Sequence, residues 1–176
     1  MKIGILFSLV FILTILPYSI VLGQEGSAEL DARREALRRC RALLKETIEE
    51  IDAGNYQTAM AKIDSVILCD PKNADAYFHR GRILIRQKDT TSAVSALEKG
   101  VEMAPLSTRN RLLLARLKLD LNAPDEALEQ IDKVLAVKPR ESEALYLKGM
   151  VFLAKSDTTA ALEILEKSLS TDFERK

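Results

Sequence analysis

Beyond Gly26 the apolar residues of this chain recur every three or four positions, the spacing that puts side chains on one stripe of a helix. Ile83 and Leu84, then Leu97 and Val101, flank the polar run Asp89-Thr90-Thr91. The same layout returns with Leu147 and Val151, then Leu162, Leu165 and Leu169, on either side of Asp157-Thr158-Thr159. Each set predicts two helices joined by a short turn. Alternation of period two is never sustained long enough for a strand. The turns have their own chemistry: Gly54-Asn55 can take the left-handed conformation that closes a helix, Asp89 and Asp157 can cap the next one, and Pro124 suits a first helical turn.

The helix pairs repeat. Pro71, Pro105 and Pro139 are 34 residues apart, as are Ala59, Ala93, Ala127 and Ala161, and as are Gly81, Ala115 and Gly149. The small residues remove bulk where two helix axes approach to about 8–10 Å. The prolines end the second helix of each pair, because a proline cannot donate to the preceding turn. A pair of this size cannot bury its own apolar faces, so the pairs must stack, which predicts an all-α fold, an α-solenoid of four helix-turn-helix repeats.

In this register the chain resembles the tetratricopeptide repeat family, whose 34-residue pattern asks for a large residue, Leu-Gly and an aromatic, then Ala, an aromatic and Pro. The second repeat supplies Tyr77, Arg80-Gly81, Leu84, Ala93, Leu97 and Pro105. The fourth supplies Leu145, Lys148-Gly149, Phe152, Ala161 and Leu165, with Phe173 in the place of Pro. The third is weaker in its first helix (Arg111, Leu114-Ala115, Lys118) but keeps Ala127, Ile131 and Pro139. The first keeps its second half (Tyr56, Ala59, Ile63, Pro71), while Glu46-Thr47 and Glu50 depart from the pattern. The expected units are 40–73, 74–107, 108–141 and 142–175.

The resemblance implies a binding scaffold that takes a partner protein or peptide on the concave surface of the first helices. The matching positions include Leu44 and Ile48, then Phe78, Arg82 and Ile85, then Leu112 and Arg116, then Tyr146 and Met150. Such a surface suits a segment with apolar and acidic character, with Arg82, Arg109 and Arg116 facing carboxylates. The alternative is that these residues are buried by repeat packing. The Lys and Asn with which one subclass of the family clamps the carboxylate of chaperone tails are replaced here by Leu44, Ile48, His79 and Leu113. A chaperone-tail receptor is therefore not expected.

Charge and composition narrow the function. With 26 basic against 26 acidic residues the net charge is zero, which removes the bulk electrostatic argument for nucleic acid. One His (His79), two Cys and no Gly-rich phosphate loop leave little for catalysis, metal or cofactor binding, so no enzyme and no cofactor are expected. Lys2, the uncharged stretch Ile3–Leu22, a helix break at Pro17 and the Val21 and Gly23 spacing lay out a secretory signal peptide over 1–23. An uncleaved membrane anchor is the alternative. Export to a periplasmic or extracellular space follows from the first reading.

Residues 24–39 are expected as a linker and helical extension. Within Glu29–Lys45 an arginine cluster (Arg33, Arg34, Arg38, Arg39, Arg41) interleaves with acids and reads as a solvated face, and Leu30, Leu37, Leu44 and Ile51 recur every seven residues. Cys40 and Cys69 stand at the two ends of the first repeat, where antiparallel helices meet; they form either a disulfide or two buried thiols. After Phe173 little chain remains to cap the fourth repeat. Met150, Leu153 and Ile164 are then expected to stay exposed, giving a second functional reading: a subunit that self-associates or docks into an envelope complex.

Overall fold

A computed structural model describes the backbone of residues 3–173 and the side chains of residues 28–171. Within them lie eight α-helices and no strand: α1 (Ile3–Asp52), α2 (Tyr56–Cys69), α3 (Ala74–Arg86), α4 (Thr90–Met103), α5 (Thr108–Asp120), α6 (Pro124–Val137), α7 (Ser142–Ala154) and α8 (Thr158–Phe173). The chain divides into two units after Ala42.

In the first unit, residues 24–39 are helical throughout as part of α1. The helix also runs through Pro17, where a break was expected. A proline forfeits one intrahelical hydrogen bond, yet its fixed φ is close to helical. Arg34–Asp31 and Arg39–Glu35 pair along the helix surface, each at 3.3 Å, and Leu30 and Leu37 are exposed. The signal-peptide reading rests on side chains outside the described residues. Among the described residues no helix is long and apolar enough to cross a membrane.

The second unit, from Leu43, is a run of helix pairs: the end of α1 packs on α2 through Ile51, Ala59 and Ile63, and α3 pairs with α4, α5 with α6, and α7 with α8. Each pair turns on one left-handed residue, and these also fall 34 apart: Gly54 (φ 82), Lys88 (φ 64), Asn122 (φ 57) and Ser156 (φ 63). Only the first is a glycine, so the turn geometry is imposed by the packing of the helices it joins. Asp89 and Asp157 accept from the backbone N–H groups of Ser92 and Ala160, each at 3.1 Å, and cap α4 and α8. Asn73 and Ser107 do the same for α3 and α5. Pro124 opens α6.

Inside each pair the small position of the first helix meets one large aliphatic of the second. A Cβ on Gly81 would fall 2.7 Å from the Leu97 side chain, and one on Gly149 would fall 2.6 Å from Leu165. Where the first helix carries Ala115 or Thr47, the register places Ile131 or Ile63 opposite. Isoleucine branches at Cβ and leaves room for a neighbouring methyl, whereas leucine spreads its methyls further out and needs glycine. Thr47, which departs from the family pattern, is fully buried and returns its hydroxyl to the Leu43 carbonyl at 2.7 Å. Three apolar clusters follow in chain order: Ile51, Ala59, Ile63 and Ile83; Ala93, Leu97, Leu114 and Leu117; Ala127, Ile131, Leu147 and Val151.

Candidate functional site

The leading helices α3, α5 and α7 present corresponding positions side by side. Phe78, Leu112 and Tyr146 share one position; Arg82, Arg116 and Met150 share another; Asp75, Arg109 and Glu143 share a third. Between them opens a groove of about 570 Å³ whose lining includes Phe78, Ile85, Leu112 and Leu113 with the cations Arg82, Arg86, Arg109, Arg116 and Lys138. Asp120, Glu141 and Glu143 contribute the acids of the same lining.

The arginines are held in place by their own neighbours. The Arg109 guanidinium lies 4.4 Å above the Phe78 ring and donates to Asp75 at 3.3 Å. Arg116 donates to Glu143 at 2.7 Å. Arg82 sits 3.6 Å from Asp52 and 3.3 Å from His79 Nδ1. These pairs are internal, so the arginines are not bare charges awaiting a carboxylate; they are oriented donors with further N–H groups unspent. Arg86 is exposed and makes no ion pair among the described residues.

His79 belongs to this scaffold rather than to a reactive centre. It is buried, edge-on to Phe78 at 5.2 Å, and burial, reinforced by Arg82 and Arg109, pushes its pKa down to about 4. The neutral ring offers Nδ1 as an acceptor to Arg82.

The sequence-derived positions divide here. Phe78, Arg82, Ile85, Arg109, Leu112 and Arg116 line the one groove, with Leu112 so deep (5% exposed) that it is mainly core. Leu44 and Ile48 are half-buried, Leu44 against the first cluster. Tyr146 and Met150 are exposed on α7. Arg86 and Asp120 were missed by sequence reasoning that stopped at the third residue of each helical stripe; both lie one turn beyond Arg82 and Arg116. Lys138 and Glu141 come from the connection before α7, which a search confined to helices passes over. Cys40 and Cys69 are both disulfide-bonded and neither is a free thiol.

Three models of the tetratricopeptide repeat match the chain, over residues 44–108, 84–151 and 142–175. DnaJ homolog subfamily C member 3 of Bos taurus is 29% identical over 123 residues, covering 69% of this chain and 24% of the relative. This chain thus spans about a quarter of that protein's length. Among solved structures, MamA superposes with a TM-score of 0.71 at 20% identity, over 77% of this chain and 80% of the other. PilW, a type IV pilus biogenesis factor, also gives 0.71, at 24% identity over 76% of this chain and 62% of its own. At these identities the likeness is one of fold. With matches running from 44 to 175 over stacked helix pairs of 34-residue period, the chain belongs to the tetratricopeptide repeat family.

Proposed function

We propose that this chain is a non-enzymatic protein–protein interaction scaffold of the cell envelope or secreted space that holds a partner's peptide or helix in the α3–α5–α7 groove. The observation that carries this reading is the groove's mixture of an apolar floor (Phe78, Ile85, Leu112, Leu113) with oriented guanidinium groups. A partner segment with apolar side chains would bury them on that floor and set its carboxylates or carbonyls against the unspent N–H groups. Arg86, which makes no ion pair among the described residues, is the first candidate for an acidic side chain.

Export is supported by the signal-like layout of residues 1–23 and by the absence of a free thiol, since disulfides persist in oxidising compartments. We pair Cys40 with Cys69. N-terminal sequencing of the exported protein should begin after Gly23; a start at Met1 on membranes would reject cleavage. For the groove, affinity capture from the exporting cell with the natural chain and with Arg86→Glu/Arg116→Glu is the test. A partner lost from the double variant supports groove binding, and one retained equally by both rejects it.

A further inference from the structure

At one register position every trailing helix carries an acid: Asp64 on α2, Glu98 on α4, Asp132 on α6 and Glu166 on α8. Three of them are answered by a cation on the next leading helix. Arg80 stands 3.3 Å from Asp64, Lys118 3.5 Å from Glu98, and Lys148 2.7 Å from Asp132. Glu166 makes no ion pair among the described residues.

The apolar positions tell the same story. In the third repeat Leu112, Leu119, Leu128 and Leu135 belong to the cluster that Ala144, Leu147 and Val151 of α7 close over. Their counterparts in the fourth repeat are Tyr146, Leu153, Leu162 and Leu169, which are 48%, 42%, 63% and 62% exposed. Four large apolar groups on two adjacent helices form a patch of the kind that marks an interaction surface.

We infer that the α7–α8 face is a docking site for a cationic amphipathic helix of a partner protein, laid across α7 and α8 as α7 lies across α5 and α6. The register specifies its chemistry. A small residue takes the place of Ala144, aliphatics take those of Leu147 and Val151, and a Lys or Arg at the place of Lys148 reaches Glu166. The front of a second copy does not fit, because the corresponding positions on α1 are Lys45 and Glu49. Stacking copies end to end would set these charges against Leu162 and Leu169 at a desolvation cost. This face shares α7 with the groove, but none of its four apolar residues lines that groove, and neither reading depends on the other.

The probe is a dye-labelled synthetic helix with Ala, Leu, Lys and Val at those spacings and solubilising residues elsewhere, titrated into the full chain by fluorescence anisotropy. Saturable binding is expected, weakened about tenfold by Leu162→Asp and by Glu166→Lys, the effect of losing roughly 1.4 kcal/mol. A peptide with Glu in place of that Lys should recover binding to Glu166→Lys. Both substitutions are at exposed positions, and an unchanged unfolding midpoint verifies the fold. Arg86→Glu in the groove should leave this binding intact. No binding at millimolar peptide, or binding indifferent to both substitutions, overturns the inference. So does a dimer of the chain alone, seen by sedimentation and abolished by Leu162→Asp, which would assign the face to a second copy.

Discussion

Asn110, fully buried on α5, points its Oδ1 at the backbone of Gly100 on α4, where any Cβ would collide with it. Its Nδ2 donates to the Ala74 carbonyl at 3.2 Å and to Ser107 Oγ at 3.1 Å, which fixes the amide's orientation and leaves Oδ1 without a donor. At the two flanking junctions the same positions hold Val66 with Ala76 and Val134 with Ala144, packed within single clusters. Large and small have changed sides at the middle junction. Gly100→Val alone should therefore cost about 1–3 kcal/mol by overpacking, and Asn110→Ala alone a similar amount through the void it leaves. The double variant rebuilds the neighbouring solution and should recover most of both losses. Chemical unfolding of the four proteins gives the coupling energy; additive losses would show that the two residues do not share one space.

The left-handed turn residues can be improved. Lys88 and Ser156 hold φ values near 60°, where a side chain crowds the following carbonyl and glycine does not. Lys88→Gly and Ser156→Gly should each raise stability by about 0.5 kcal/mol, the steric relief outweighing the greater freedom of glycine in the unfolded chain. Asn122→Gly should be nearly neutral, since asparagine already tolerates this region, and Gly54→Ala should lower stability by about 1 kcal/mol. Thermal unfolding of the four variants orders them. A loss at Lys88→Gly would mean that its side chain makes up for the strain.

The period, the helix pairs and the small-residue positions were legible because each repeat solves the same packing problem against its neighbours. What was not legible lay where a different residue type does the same job. Arg111 departs from the aromatic pattern, yet its Nε and Nη2 donate to the Pro105 carbonyl at 3.0 and 2.8 Å, as the Tyr77 hydroxyl donates to Pro71 at 3.1 Å. Thr47 fills a glycine position because Ile63 replaces leucine opposite it. The groove arginines looked unengaged in a linear reading because their acids are remote: Asp75 lies 34 residues before Arg109, and Glu143 lies 27 after Arg116.

Reduction should weaken the protein. Closing a loop between Cys40 and Cys69 restricts the unfolded chain by about 3–4 kcal/mol in the entropy model. Cys69→Ser, or the natural chain in excess thiol, should unfold at lower denaturant, and the effects of substitution and reduction should not add. Mass measurement of the denatured, unreduced protein after alkylation should show no added label. Two labels would refute the bridge and remove one support for export.

Acid should act through His79. Its pKa in the folded protein is about 4, because burial first, and Arg82 and Arg109 next, disfavour the charged ring more than Asp75 and Asp52 favour it. In the unfolded chain the group titrates near 6.5. Between these values the unfolded state holds more protons, so stability is full above about pH 6.5 and falls as pH is lowered toward 4. A shift of this size is worth on the order of 3 kcal/mol. Asp89, held low by its bonds to Ser92, contributes stability that is lost only at more acid pH, whereas Glu50, held low by Asn55 and Lys62, and Glu129, held low by Lys133, begin to lose theirs at the acid end of this range, in the natural chain and in a His79 variant alike. His79→Leu places here the residue that Leu113 and Leu147 supply in the next two repeats, so it should fold. Urea midpoints measured from pH 7 to 4.5 should slope downward for the natural chain and stay nearly level for the variant. An unchanged slope in His79→Leu would place the acid sensitivity elsewhere and remove the neutral imidazole from the account of how Arg82 is held.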